Sequence, residues 1–120
     1  MRATILIVED DADTRAQLVT LLEGQGYAVD VATDGHTTLA YLRCRPPPRL
    51  ILLNLAIAAP DGWQFVAARR ADAALARIPV IALSPAGDAL RPAAVAVGAD
   101  DLLAKPVDRD ALLAAAARYR

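Results

Sequence analysis

Leu50-Ile51-Leu52-Leu53 places four apolar residues in a row and ends against a single amide, Asn54. Successive side chains of a strand point to opposite faces of its sheet, so a strand with this sequence has no face to give to water. It fits only inside a layered fold that is covered above and below. Thr4 to Val8 (TILIV) repeats the pattern, and Val80 to Leu83 (VIAL) forms another short apolar strand.

The segments between these runs read as helices. After the acids of "EDDAD", Ala16, Leu18, Val19, Leu21 and Leu22 recur at helical spacing until Gly24 and Gly26 stop the helix. Tyr27 to Ala32 (YAVDVA) alternates, as an edge strand does. Thr33 or Asp34 caps a second helix that turns Leu39, Ala40 and Leu42 inward and must end before Pro46, Pro47 and Pro48. That proline run reads as a stiff spacer rather than as a ligand for a partner. Beyond the turn Pro60-Asp61-Gly62, a third helix starts near Trp63, carries Phe65, Val66 and Ala67, and frays through "ADAALARI" toward Pro79. Pro92 fits only the first turn of a short fourth helix, Arg91 to Val97, which Gly98 ends. Asp101 to Ala104 is a weak fifth strand, and Asp108 caps a final, alanine-rich helix from Arg109 to Tyr119. Strands that alternate with helices make right-handed crossovers. The expected fold is one α/β domain over residues 1–120, a doubly wound five-stranded parallel sheet with helices on both faces.

Composition excludes several function classes. A chain of 120 residues that is 56% apolar can bury a core of its own. With a net charge of -1 and no long basic tract, it lacks the electrostatic footprint of direct nucleic-acid contact. Cys44 is the one cysteine, which leaves no internal disulfide and no zinc-type spacing. No segment reads as a membrane span, and the apolar stretch Ile5 to Val8 is about half the shortest signal-peptide core. A cytoplasmic location is the expectation.

In open parallel sheets, ligands bind beyond the carboxyl ends of the strands, at the switch point of the winding. The polar residues placed there are Glu9, Asp10 and Asp11 after strand one, Asn54 at the end of strand three, Ser84 after strand four and Lys105 after strand five. Clustered carboxylates suit a hard divalent cation such as Mg²⁺. A lysine and a hydroxyl opposite them suit a phosphoryl group.

This set, with "ILIVEDD", "LILLNL", the "DG" that follows, "VIALS" and "GADDLLAKPV", resembles the receiver domains of two-component response regulators along the whole chain. The resemblance implies a flavodoxin-like sheet of order 2-1-3-4-5. It implies a Mg²⁺ site at Glu9, Asp10, Asn54 and Ala56, a phosphate pocket at Ser84 and Lys105, and a cis bond between Lys105 and Pro106. It also implies protein partners: a histidine kinase, an output domain or another signalling protein, with a homodimer surface on the fourth helix, fifth strand and fifth helix. That surface includes Arg91, Asp100, Asp101, Arg109 and Arg118.

The chain departs from the family at the residue that matters most. Asn54 stands where receivers carry the aspartate that accepts phosphate, and a neutral amide oxygen is a poor nucleophile toward phosphorus. Losing one carboxylate also weakens the attraction for Mg²⁺, so that site is expected to be weak or empty. Ala58 replaces the usual proline, and Leu102 stands at the position of the aromatic switch residue. The expectation is an atypical receiver, not an enzyme, that works by binding another protein. The alternative is a phosphoryl-accepting receiver whose aspartate has been exchanged for asparagine. A metal-dependent phosphatase is disfavoured because "EDDADT" is out of register with the strand end, and a nucleotide binder because the acidic loop has no glycines. Plainer roles are expected for the rest: Asp11 caps the first helix, Asn54 bonds Lys105 and nearby backbone, His36 and Cys44 are surface residues, and Trp63 is a weak contact candidate.

Overall fold

Five strands, β1 (Thr4–Val8), β2 (Ala28–Ala32), β3 (Leu50–Asn54), β4 (Val80–Ser84) and β5 (Asp101–Ala104), pair in parallel in the order β2-β1-β3-β4-β5. This is the sheet order that the sequence resemblance implies. The structure, a computed structural model, describes residues 4–58 and 63–119. The turn Pro60-Asp61-Gly62 and the side chains of Trp63, Phe65 and Val66 therefore lie outside the described residues.

Around the sheet run α1 (Ala12–Glu23), α2 (Gly35–Cys44), a turn α3 (Leu55–Ala58), α4 (Trp63–Ala71), α5 (Ala73–Ala76), α6 (Arg91–Ala96) and α7 (Arg109–Arg118). The apolar strands explain the layering. In β1, Leu6 and Val8 join one core with Leu39 and Leu42 of α2 and Ala94 of α6, while Ile5 and Ile7 join a second core with Leu18 and Leu22 of α1 and Leu112 of α7. In β3, Ile51 and Leu53 go to the first core and Leu50 and Leu52 to the second. Burying both faces at roughly 25 cal/mol per Å² holds the helices to the sheet.

Several boundaries differ from those expected. The third helix is two helices, because Asp72 adopts an extended backbone, its side chain accepts from the Ala74 N–H and a new cap begins. The turn α3 directly after Asn54, and a 3₁₀ turn at Gly87–Leu90 before α6, have no apolar period of their own. β2 begins at Ala28, one residue after Tyr27. Ala16 and Ala40, expected inward, are exposed. The caps are as expected: Asp34 forms a capping box with Thr37, Asp108 accepts from the Ala111 N–H, and the Lys105–Pro106 bond is cis. His36 and Cys44 are exposed, as expected.

β2 is the open edge on one side, and Tyr41 ties α2 to it. Its hydroxyl donates to the Asp30 carboxylate at 2.7 Å, and the Arg45 guanidinium stacks 5.4 Å from the ring centre. Burial, then the hydrogen bond to Asp30 and that residue's negative charge, push the phenol up from 10.0 to about 12. Folding therefore favours the neutral phenol. The stabilisation is complete below pH 10.0, the ordinary value, and is lost as pH rises toward about 12. An absorbance titration should show one phenolate forming near pH 12, and Tyr41→Phe should remove that component alone.

The opposite end of the first core depends on a residue that no periodicity marks. Arg69 of α4 donates through Nη1 to the carbonyls of Val97 (3.4 Å) and Gly98 (3.3 Å), and through Nη2 to those of Ala76 (3.3 Å) and Ile78 (3.0 Å). One guanidinium thus satisfies carbonyls left over after two helices. Arg70 adds a bond to the Ala96 carbonyl at 2.7 Å.

Candidate functional site

Glu9, Asp10, Asn54 and Lys105 meet at the carboxyl ends of β1, β3 and β5. The sheet order puts β1 and β3 side by side at the switch point, so side chains just past their ends face one crevice. Glu9 is fully buried and lies at the centre. Its Oε1 accepts from the Lys105 ammonium, and its Oε2 accepts from Asn54 Nδ2 at 2.6 Å and from the Asp10 N–H at 3.1 Å. Asp10 is exposed at the rim, with Oδ1 3.5 Å from Asn54 Nδ2. Arg15 reaches back from α1 to the carbonyls of Glu9 (3.0 Å) and Asp10 (3.4 Å).

The orientation of the Asn54 amide follows from its partners. Its Oδ1 accepts from the Ala56 N–H at 3.1 Å, and a carboxylate on the other side can only accept. The nitrogen must therefore face Glu9. Asn54 bonds the nearby backbone as expected, but it does not bond Lys105: the ammonium pairs with Glu9, the buried anion, where the attraction is larger.

The remaining expected residues are tied up elsewhere. Ser84 is fully buried, but its hydroxyl donates to the Gly87 carbonyl at 2.8 Å and accepts from the Ala86 N–H at 3.2 Å, within its own loop. Asp11 caps α1, accepting from the Thr14 hydroxyl at 2.6 Å and the Thr14 N–H at 2.9 Å. Those two bonds, the hydroxyl first, hold its carboxyl below the usual 3.8. Leu102 is half-buried and packs against the core that contains Leu6 and Val8. Arg15 was not anticipated from the sequence, because its bonds go to main-chain carbonyls that carry no residue signature.

These residues do not fit a divalent cation. A Mg²⁺ site needs oxygen ligands and excess negative charge. Here both Glu9 oxygens accept from protein donors, an amide N–H₂ points into the crevice, and an ammonium already sits on the buried carboxylate. Among the described residues no group of three or more His, Cys, Asp or Glu could hold a metal ion. The arrangement can hold itself together through charge-assisted hydrogen bonds, but it presents no unpaired anionic oxygen at the position of Asn54.

Comparison with known proteins sets this geometry in a family. A family model described as "Response regulator receiver domain" matches residues 5–117. The chain is 34% identical over 119 residues to the alkaline phosphatase synthesis transcriptional regulatory protein SphR of Synechococcus elongatus, covering 92% of this chain and 46% of that protein. It thus spans about half the length of that regulator. Among solved structures, a response regulator of Chloroflexus aurantiacus superposes with a TM-score of 0.89 at 27% identity, over 99% of this chain and 98% of that one. The receiver domain of the sensor histidine kinase PA1611 from Pseudomonas aeruginosa, described with magnesium coordinated in its active-site cleft, gives 0.85 at 29% identity, over 99% and 98%. No helix among the described residues is long and apolar enough to cross a membrane. With a family match along almost the whole chain and the same five-stranded winding in its structural neighbours, this chain belongs to the response regulator receiver domain family.

Proposed function

We propose that this receiver domain signals by contact with a protein partner and takes no phosphoryl group at position 54. The observation that carries the reading is the Asn54 amide nitrogen lying 2.6 Å from Glu9 Oε2. A phosphoacceptor must offer an anionic oxygen to phosphorus, and position 54 turns a hydrogen-bond donor into the crevice. The Ser84 hydroxyl, held by Gly87 and Ala86, fits the same reading. So does Leu102, which has no ring or hydroxyl to rearrange. Mg²⁺ binding is expected to be weak or absent, since both Glu9 oxygens accept from protein donors and Asp10 at the rim has its Oδ1 3.5 Å from Asn54 Nδ2.

Receiver domains work with histidine kinases and output domains, and a partner of that kind, in the cytoplasm, is the one we assign. A contact surface on α6, β5 and α7 is supported by its charges, exposed apart from the half-buried Asp101. Of these, Asp101 is paired with Arg118 at 2.9 Å, and the Asp100 carboxylate accepts from the Val80 N–H at 2.9 Å. Arg91, paired with the neighbouring Asp88 at 2.7 Å, and Arg109, paired with the adjacent Asp110 at 3.5 Å, are exposed cations within reach of a partner. The same face would serve a homodimer.

The test is direct. Incubated with MgCl₂ and acetyl phosphate, the protein should gain no phosphoryl mass. Asn54→Asp should gain one slowly, because a carboxylate then faces Lys105 and the acids that follow β1. Phosphorylation of the unaltered chain at Asn54 would overturn the reading. A large, saturable change in the amide shifts of α6 and β5 on phosphorylating Asn54→Asp would favour instead the view of a working receiver in which only the aspartate has been exchanged.

A further inference from the structure

We infer that Lys105 is the built-in cation of this crevice: with Asn54, it does the structural work that a divalent ion does in a pocket of three carboxylates. The inference rests on the proposed function, because it takes the asparagine as the working residue at position 54. Three observations support it. Glu9 is the one fully buried acid among the described residues, and a buried carboxylate needs both charge compensation and hydrogen bonds. Lys105 supplies the charge, and Asn54 and the Asp10 N–H supply the neutral donors, so both oxygens are satisfied from within the chain. The three residues come from the ends of β1, β3 and β5, so one carboxylate clasps three strand ends across the sheet.

The charge balance explains why the asparagine belongs to the same device. Glu9 and Lys105 cancel, and Asn54 adds a donor without adding charge. An aspartate at 54 would set a second carboxylate within hydrogen-bond distance of Glu9, against a single ammonium, and the two anions would repel. Such a pocket needs another cation. The crevice is therefore a fixed clasp that is indifferent to divalent ions, and each of the two side chains that donate to Glu9 is needed to keep it so.

Thermal unfolding in EDTA and in millimolar MgCl₂, at constant ionic strength, tests this. The unaltered protein should unfold within about 1 °C in the two buffers, since a ligand that does not bind the folded state cannot shift its midpoint. Asn54→Asp should unfold lower in EDTA by about 5 °C or more and recover most of that loss with MgCl₂. Lys105→Met should also become responsive to MgCl₂, because it leaves Glu9 and Asp10 without a cation, whereas Lys105→Arg should not. The inference is overturned if MgCl₂ stabilises the unaltered protein as much as the variants, if Asn54→Asp matches the unaltered protein in EDTA, or if it is unfolded in both buffers. The two ideas can fail separately. A protein that MgCl₂ stabilises but acetyl phosphate leaves unmodified overturns the clasp alone, and one that gains phosphoryl mass overturns the proposed function whatever MgCl₂ does.

Discussion

Replacing Lys105 with methionine should lower the unfolding free energy by about 3 kcal/mol at neutral pH, the usual scale for removing one partner of a buried ion pair. The stem of methionine can follow much of the path of the lysine stem, so little packing is lost. What is lost is the positive charge paired with Glu9, whose side chain is 0% exposed against 18% for Lys105. An exposed pair would be worth under about 1 kcal/mol, and burial of the acid is what raises the cost. The cost belongs to the stranded carboxylate and not to the pair as such. The double variant Glu9→Gln, Lys105→Met should therefore recover a large part of the loss, since a neutral amide can remain buried on Asn54 and backbone donors. Urea denaturation midpoints of the two single variants and the double variant measure this coupling. Additive losses would show that Lys105 contributes through packing alone.

The sheet was legible in the sequence because its signal is physical redundancy. Ile5 to Val8 and Leu50 to Leu53 have no polar face, so they demand cover on both sides, and the two cores of the structure supply it through alternate residues of the same strands. Helix starts at Asp34 and Asp108 were legible because a side-chain oxygen must satisfy orphan N–H groups there. The site was legible as a set of strand ends but not as a set of bonds. Sequence position puts Ser84 beside the crevice, yet only the path of the following loop decides that its hydroxyl is spent on Gly87 and Ala86. Likewise, the choice of Glu9 over Asn54 as the partner of Lys105 depends on which acid is buried, and "EDD" does not distinguish its three members. Arg15 and Arg69 were illegible for a common reason. Both act on main-chain carbonyls, which every residue carries.

Gly98→Ala should destabilise the fold by about 2 kcal/mol, from two sources that a second substitution can separate. Gly98 follows α6 with φ of +75°, and its N–H bonds the Val95 carbonyl while the Ala99 N–H bonds that of Ala94, the pairing of a Schellman turn. A side chain in that backbone region costs about 1 kcal/mol wherever it occurs. The second source is specific to this protein. A methyl group at position 98 would lie 2.6 Å from Arg69 Nη1, closer than any normal contact. A surface arginine would swing aside at little cost, but this guanidinium is held by the carbonyls of Val97, Gly98, Ala76 and Ile78, and moving it loosens the joint between α5, β4 and α6. Hydrogen bonds from a charged donor are each worth about 1.5–3 kcal/mol when buried, and less here because the cluster is partly open to water. In an Arg69→Ala background the clash is gone, so Gly98→Ala should then cost only the backbone share, about 1 kcal/mol. Chemical denaturation of the two single variants and the double variant gives the coupling. Equal costs in both backgrounds would show that Gly98 is needed for its backbone geometry and not for the passage of Arg69.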